Sequence, residues 1–216
     1  MGTKVICIEG LDGSGKTTLI NTLDNVLCEQ ELNVKIISPF DICGYGRTFK
    51  SDILNTKNHF LELTGMSHML GRFQIDLAKM IKESKYDVII LDRYLPSFFT
   101  YQVHGKETNK ELSTILLTEL LKHPVKVHKH YLVEASKEST VNRLNGKRLE
   151  DDGDARSLSI YDELIEGYRT FYKAHGVDVS TLPSDHLDDI SKNVSRVVAG
   201  LFEWRSKSAL AVNTIC

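Results

Sequence analysis

Short runs of apolar residues alternate along the chain with longer stretches in which apolar residues recur at helical spacing. Five of these runs are predicted strands: Val5–Ile8, Val34–Ile37, Val88–Leu91, Tyr131–Val133 and Val177–Val179. The first and the third run are apolar at every position. Such a strand has to be covered on both faces, which is typical of the centre of a parallel sheet.

Amphipathic helices are predicted between these runs, for example where Leu19, Leu23 and Leu27 recur and again over residues 187–198. Parallel strands need long crossover connections, which helices can supply. The predicted fold class is therefore α/β, a doubly wound five-stranded parallel sheet with helices on both faces. A mixed α+β arrangement fits less well, because the alternation persists towards the C-terminal end. We expect one domain over residues 1–206 and a flexible tail over 207–216.

Composition narrows the class of protein. The 216 residues include 27 Lys and Arg against 29 Asp and Glu, so a nucleic-acid-coating protein is disfavoured. No apolar run approaches the roughly 18 residues of a membrane span, and residues 1–4 lead into a strand rather than a signal peptide. Cys7, Cys28, Cys43 and Cys216 show no CxxC spacing, and the first two fall at expected core positions. This pattern predicts a reduced, cytoplasmic protein without disulfides or a zinc site.

A phosphate-binding loop follows the first predicted strand. Residues Gly10–Thr17, GLDGSGKT, match G-x-x-x-x-G-K-[ST] in full, and the predicted helix follows directly. Glycines let backbone N–H groups turn towards a polyphosphate, and the helix N-terminus favours negative charge. Lys16 would reach the β- and γ-phosphates, and the Thr17 hydroxyl would bind Mg²⁺. The sequence therefore predicts ATP or GTP binding with Mg²⁺.

A second group of polar residues follows the third predicted strand, which ends in Leu91-Asp92-Arg93-Tyr94. An Asp at this place can hold Mg²⁺ near the phosphate loop. Arg93 beside it indicates a second phosphate site, because an arginine there is costly without an anion. A salt bridge at a strand end is the alternative for Asp92.

These residues resemble the thymidylate kinases, a family of P-loop nucleoside-monophosphate kinases with a small helical lid. The resemblance is carried by Gly10–Thr18 and by Asp92-Arg93-Tyr94 with Ser97 and Tyr101-Gln102 downstream. It extends weakly to Arg143–Tyr168, which resembles the lid (here about residues 144–157, flanked by Arg143) and its following helix, and to Val177–Pro183, which resembles the last strand and the loop next to adenine. The residues that it implies for ATP are Gly10, Gly13, Ser14, Gly15, Lys16, Thr17 and Thr18.

On the acceptor side the resemblance implies roles for single residues. Asp12 would face the deoxyribose 3′-hydroxyl, or else stabilise the loop. Arg93 would bind the acceptor phosphate. Tyr101 would pack under the sugar where a 2′-hydroxyl would otherwise fit, or serve as a core aromatic. Arg72, twenty residues before Asp92, would contact the pyrimidine edge, or be a solvated helix residue.

The chain departs from the family pattern at three places. His68 stands where the family usually has a base-stacking Phe, and Ser38-Pro39-Phe40-Asp41 replaces an Arg-Glu-Pro or Pro-Glu-Arg element. We expect Phe40, His68 and Ser97 at the substrate. The lid lacks the usual Asp-Arg pair, so Arg148 is the first choice and Arg156 the second for a catalytic lid arginine. His128 and His130 share a strand face but have no third ligand nearby, so they are interpreted as non-metal residues.

The preferred interpretation is ATP-dependent phosphorylation of dTMP to dTDP. The resemblance also implies a homodimer, formed through the helices around residues 66–84 and 108–122. Alternatives are a kinase of another or modified deoxynucleoside monophosphate, a deoxynucleoside kinase with Asp41 as its base, and a nucleotide-binding regulator without kinase activity. GTP stays open as the donor. Neither a nucleic acid nor a membrane is expected as a partner.

Overall fold

The computed structural model of the chain describes residues 2–42, 52, 56, 58–104, 110–122, 124–146 and 158–212. Its strands are β1 (Lys4–Gly10), β2 (Val34–Ile37), β3 (Val88–Asp92), β4 (Lys129–Glu134) and β5 (Val179–Pro183). Its α-helices are α1 (Lys16–Glu29), α2 (Pro39–Ile42), α3 (His59–Glu83), α4 (Leu95–Phe99), α5 (Lys110–Lys122), α6 (Lys137–Gly146), α7 (Tyr161–Ala174) and α8 (Leu187–Val212). A π-helical segment, Thr100–His104, continues from α4.

The strands form one parallel sheet in the order β2-β3-β1-β4-β5, with β1 at its centre. The fold class predicted from the sequence is confirmed. The fifth strand lies later than predicted, because the Val177 N–H still bonds to the Tyr172 carbonyl of the preceding helix at 3.1 Å. The β-ladder with β4 therefore begins only at Val179, opposite His130.

The alternating side chains of the buried strands supply two hydrophobic layers. Val5 and Cys7 of β1 face one side, where they pack with residues of α3, α4 and α7. Ile6 and Ile8 face the other side, where they pack with residues of α1 and α8. Because every side chain from Val5 to Ile8 is covered, β1 is held rigidly and its carboxyl end places the phosphate loop.

One expectation about a single residue is wrong. Cys28 is exposed rather than in the core, because α1 turns its Leu23 and Leu27 towards the sheet and leaves the next position on the solvent side. Within the expected tail, residues 207–212 belong to the end of α8, a stretch containing two alanines and a leucine, which favour helix. Residues 213–216 lie outside the described residues.

The two histidines of the β4 region have protein partners. The backbone N–H of Val5 donates to Nδ1 of His128 at 3.0 Å. His130 meets the edge of the Tyr172 ring, with 5.7 Å between the ring centroids. Burial, together with the charge of Lys129, lowers the pKa of His130 to about 4, so it is neutral at physiological pH.

Among the described residues, no helix combines the length and the apolar character that a membrane-spanning segment needs.

Candidate active site

The phosphate loop connects β1 to α1 in a conformation that depends on its glycines. Gly10 has a φ of 151° and Gly15 a φ of 92°. A Cβ on Gly10 would lie 2.6 Å from the Val133 carbonyl, and one on Gly15 would lie 2.6 Å from the Ser184 hydroxyl. The loop therefore packs directly against β4 and the segment after β5, with no room for a side chain at either position.

The first turn of α1 is arranged for an anion. Gly15 is the N-cap and supplies no side-chain cap, and no acidic residue lies in the first turn. The hydroxyl of Ser14 is buried and has no hydrogen-bond partner among the described residues. Unpaired donors at a helix N-terminus bind phosphate groups readily. The predicted loop residues thus form a candidate phosphate cradle, with Thr17 and Thr18 exposed beside it.

Lys16 is buried at the start of α1 and does not face the solvent. It is the first residue of α1, its side chain is only 8% exposed, and its ammonium group pairs with Asp92 at the end of β3. The pairing follows from the sheet, in which Ile8 of β1 lies opposite Asp92. Burial lowers the pKa of Lys16, and the nearby charge of Arg93 lowers it further. The cation is therefore desolvated and held at a fixed place.

Arg93 lies directly after β3 with its guanidinium turned to the phosphate loop. Its Nη2 donates to a carboxylate oxygen of Asp12 at 2.7 Å, and the guanidinium lies over the Tyr101 ring, 5.5 Å from its centroid. Its Nη1 lies 3.4 Å from the hydroxyl oxygens of Ser97, Tyr101 and Tyr168. Burial alone would lower the pKa of Arg93, but the interactions with Asp12, Tyr101, Tyr168 and Asp92 together outweigh it and raise that pKa.

Four predicted site residues are thus brought together around Arg93: Asp12, Ser97 and Tyr101 contact it, and Lys16 lies within its electrostatic reach. Arg93 also has a left-handed backbone, with a φ of 73°. A non-glycine residue held in this conformation costs about 1–2 kcal/mol, and such residues cluster at functional sites.

Glu9 and Tyr168 belong to the same site and were not predicted. Glu9 of β1 is fully buried and accepts from the Tyr94 N–H at 2.7 Å and from the Ser97 hydroxyl. Tyr168 of α7 is also fully buried and lies 2.8 Å from the Ser97 hydroxyl oxygen. Glu9 had a detectable signal, a charged residue inside an apolar strand. Tyr168 had none, because its distance from Arg93 along the chain hides the contact.

Arg143 of α6 connects the phosphate loop to the segment that follows β5. It donates to the Gly13 carbonyl at 3.2 Å, to the Asp185 carbonyl at 3.2 Å and to the Ser184 carbonyl. The sequence grouped this residue with the lid, but here it lies against the loop itself. It fixes the relative position of two segments that border the helix N-terminus.

The remaining predicted site residues lie apart from this group or outside the described residues. Arg72 lies on α3, is 52% exposed and pairs with Asp76 at 2.9 Å, and His68 is exposed one turn before it. Phe40 of α2 packs partly buried against the core. The lid arginines Arg148 and Arg156 lie outside the described residues, as does the lid segment 147–157. The side chain of Asp41 is likewise outside them.

Taken together, the site holds two cations of different kinds at neighbouring strand ends. Lys16 supplies a buried ammonium group beside the phosphate loop, and Arg93 supplies a guanidinium group whose positive charge lowers the pKa of Lys16. Lys16 is paired with Asp92, and Arg93 is paired with Asp12. Phosphate oxygens can replace these carboxylates as partners of the two cations, and a metal ion can replace a cation as the partner of a carboxylate. This arrangement can bind two phosphorylated molecules next to each other.

Comparison with known proteins gives the same picture. The sequence model of the family described as Thymidylate kinase matches residues 8–192. The thymidylate kinase of Blochmanniella floridana is 28% identical over 176 residues, covering 78% of this chain and 82% of that protein. The thymidylate kinase of Nitratidesulfovibrio vulgaris is 24% identical over 213 residues, covering 90% of this chain and 97% of that protein.

A solved structure supports the fold. The crystal structure of thymidylate kinase from Ehrlichia chaffeensis superposes with a TM-score of 0.66 at 19% identity, over 92% of this chain and 99% of that one. Because the family match spans the phosphate loop, Arg93 and the last strand, it includes every described element of the site. The chain belongs to the thymidylate kinase family.

Proposed function

We propose that the protein transfers the γ-phosphoryl group of ATP to the 5′-phosphate of dTMP and so forms dTDP. The observation that carries this proposal is the proximity of Lys16 and Arg93, one at the phosphate cradle and the other at a separate, tyrosine-lined position. A nucleotide donor at the first and a monophosphate at the second would bring their phosphates end to end. Relatives that match most of the chain carry the name thymidylate kinase, which supports the same reaction.

The chemistry needs no strong general base at the acceptor. A phosphate monoester has its second pKa at about 6, so the attacking oxygen is already ionised near neutral pH. Catalysis then consists of positioning the two substrates and stabilising the charge on the transferred group. Lys16 and Arg93 would do both from opposite sides. A lid arginine, with Arg148 as first choice, would complete the charge and exclude water.

Mg²⁺ fits the residues at this place. Thr17 offers an exposed hydroxyl and Asp92 a carboxylate that is 29% exposed, and hard oxygen ligands of this kind suit Mg²⁺. The bound ion would neutralise charge on the β- and γ-phosphates. Asp92 also pairs with Lys16, so the same carboxylate would orient both the Lys16 ammonium group and the Mg²⁺ ion.

Recognition of thymine and deoxyribose is assigned to residues of the second position. Tyr101 is supported best, because its ring stacks on the Arg93 guanidinium and its hydroxyl lies 3.4 Å from it. Asp12 would bind the 3′-hydroxyl. Arg72, His68 and Phe40 would surround the base, as the resemblance implies, and Arg72 would exchange its ion pair with Asp76 for the pyrimidine edge.

A panel of acceptors tests the proposal. With ATP and Mg²⁺, ADP release should be fastest with dTMP and lower with dUMP, dCMP, dGMP, dAMP and UMP, since only dTMP fills a site shaped for thymine and deoxyribose. Thymidine should give no turnover above background. Turnover of thymidine without dTMP would instead identify a nucleoside kinase. Absence of both turnover and any rise in melting temperature at millimolar dTMP would favour a nucleotide-binding regulator, because a ligand of the native state must stabilise it.

A homodimer is proposed through α3 and α5, the helices that the resemblance implies. Each carries a large hydrophobic residue on its outer side: Ile75 is 53% exposed and Ile115 is 52% exposed. Gln74 donates to the Leu120 carbonyl at 3.4 Å, so the two helices form one surface. The compartment of the reaction is proposed to be the cytoplasm, as the cysteine pattern predicts.

Replacing Ile75 by Asp should shift the protein from dimer to monomer, because a charge at a buried interface has no partner there. Sedimentation velocity at micromolar concentration measures the change. The monomer itself should keep its melting temperature within a few degrees, since Ile75 is half exposed in the single chain. Leu187→Asp, at an 87% exposed position at the start of α8, is the matched control and should leave the dimer intact. A wild-type protein that sediments as a monomer would refute the interface.

A further inference from the structure

Glu9 is a buried carboxylate that does not touch the expected substrates but contacts the residues around Arg93. It is fully buried on the central strand. One of its oxygens accepts from the Tyr94 N–H at 2.7 Å and from the Cys7 thiol at 3.4 Å, and the other accepts from the Ser97 hydroxyl. Burial raises the pKa of Glu9, and the hydrogen bond from Ser97 and the charge of Arg93 oppose that rise.

The direction of the hydrogen bonds follows from the two ends of this group. A guanidinium can only donate, so the Tyr168 oxygen accepts from Arg93 Nη1. The Tyr168 hydroxyl still has its own proton to donate, and among the described residues its neighbour at 2.8 Å, the Ser97 oxygen, is available to accept it. The single hydroxyl proton of Ser97 is then donated to Glu9. Both oxygens of Glu9 therefore act as acceptors, an arrangement that favours the ionised carboxylate.

Glu9 also contacts the backbone next to Arg93, because it accepts from the N–H of Tyr94. Arg93 has a φ of 73°, and its N–H bonds to the Ile8 carbonyl at 3.2 Å. The next N–H, that of Tyr94, would be buried without a partner if Glu9 did not accept from it. The strained backbone of Arg93 and the hydrogen bonds through Ser97 and Tyr168 therefore both depend on the Glu9 carboxylate.

We propose that Glu9 is a positioning residue of the phosphoryl-transfer reaction, an anion that aims Arg93 at the acceptor phosphate through Ser97 and Tyr168. The inference rests on the proposed function, in which Arg93 binds that phosphate. It assigns Glu9 no contact with either substrate. It also gives Tyr168 a function, because its hydroxyl accepts from the guanidinium and contacts Ser97, in addition to the direct contact between Arg93 and Ser97.

Glutamine at position 9 separates shape from charge. It has nearly the same shape, but only one of its two terminal atoms can accept. If the amide oxygen keeps the Tyr94 N–H, the amide NH₂ faces Ser97 and forces that hydroxyl to donate to Tyr168 instead. The Tyr168 proton is then turned towards the donors of Arg93. If the amide is rotated, its NH₂ faces the Tyr94 N–H. No orientation satisfies both ends.

We expect Glu9→Gln to lower kcat/KM for dTMP by about 10- to 100-fold, in line with a lost hydrogen bond to a charged group. The loss should appear in both KM for dTMP and kcat, because Arg93 would bind the acceptor before and during transfer. KM for ATP should change by no more than about twofold, since Lys16 and the phosphate cradle are untouched. A residue that merely supports the fold would not single out one substrate in this way.

A double-mutant cycle with Tyr168→Phe tests whether Glu9 acts through the chain. Tyr168→Phe should lower kcat/KM for dTMP by about tenfold, and the double variant should lie within about threefold of the more severe single variant. Tyr172→Phe is the matched control: it lies one turn further along α7, is also buried, and its hydroxyl has no hydrogen-bond partner among the described residues. It should behave like the wild type.

The ¹⁵N NMR signals of the Arg93 guanidinium give a readout that does not depend on the substrate. Glu9→Gln and Tyr168→Phe should each shift the Arg93 Nη resonances, assigned from the spectrum of Arg93→Lys, and Tyr172→Phe should not. If Glu9→Gln does not fold, Tyr168→Phe against Tyr172→Phe decides by the same resonances and by KM for dTMP. Unchanged resonances, additive losses, or equal effects on KM for ATP and dTMP would overturn the role of Glu9. If the wild type does not turn over dTMP but the two variants show the shifts of the Arg93 resonances, the proposed acceptor is overturned, and the positioning of Arg93 by Glu9 stands.

Discussion

Replacement of Lys16 by methionine should lower kcat for phosphoryl transfer by at least about 1,000-fold, equivalent to about 4 kcal/mol of transition-state stabilisation. Methionine fills much of the space of the lysine side chain but carries no charge. The ammonium group lies at the N-terminus of α1, buried to 8% exposure and fixed by Asp92. Because it is desolvated before the substrate binds, its interaction with the transferred phosphoryl group is strong and costs little reorganisation. Coupled detection of ADP with saturating ATP and dTMP measures the loss.

Two further variants separate the loss of charge from a loss of fold. Lys16→Met leaves the Asp92 carboxylate without its ion-pair partner, so the melting temperature should fall. Lys16→Met combined with Asp92→Asn should recover most of the melting temperature and none of the activity. Lys85→Met, which removes an exposed lysine paired with Glu83, should match the wild type in both measurements. More than a tenth of wild-type turnover in Lys16→Met would show that Lys16 does not contact the transferred group.

The sheet could be predicted because its information is local. All-apolar runs such as Val5–Ile8 and Val88–Leu91 have few stable settings other than a covered parallel sheet. The phosphate loop was also predictable, since its glycines, its lysine and its flanking elements are contiguous. Boundaries were less accurate where two structures compete for the same residues. Val177 is an example, because its N–H completes the end of α7 instead of starting β5.

The parts of the site that depend on distant contacts were harder to read. Asp92 and Arg93 were found because they follow a buried strand. Tyr168 was not, since a tyrosine in an amphipathic helix is ordinarily a core residue, and only the packing of α7 against α4 brings its hydroxyl to Ser97. Glu9 was visible as a charged residue in an apolar strand, but its partners lie 85 and 88 positions away.

The burial of Lys16 could not be predicted from the sequence, for a third reason. A lysine in a glycine-rich loop looks exposed in the sequence, but the loop is pressed between β4 and the segment after β5. Gly10 meets the Val133 carbonyl, and Gly15 meets Ser184. Arg143 adds a bridge from Gly13 to Asp185. The environment of the lysine is therefore set by tertiary packing, which no local pattern records.

Arg93→Ala should lower kcat/KM for dTMP by about 1,000-fold, while the dissociation constant of ATP stays within about threefold of the wild type. The selectivity follows from the geometry. The Arg93 guanidinium faces Asp12 and the hydroxyls of Ser97, Tyr101 and Tyr168, which line the proposed acceptor side. Isothermal titration with ATP and with dTMP separately, together with steady-state kinetics, measures the two effects.

The fork shape of the guanidinium should matter as well as its charge. Arg93→Lys keeps a cation but cannot reach Asp12 on one side and the hydroxyl cluster on the other, so it should recover only part of the lost kcat/KM. Exogenous guanidinium ion at millimolar concentration should raise the rate of Arg93→Ala and leave that of Arg93→Lys unchanged, since only the alanine variant has space for it. Arg196→Ala, at an exposed position of α8, controls for the loss of one positive charge and should match the wild type. A near-normal rate for Arg93→Ala would exclude Arg93 from the acceptor phosphate, and with it the geometry in which two phosphorylated substrates meet between Lys16 and Arg93.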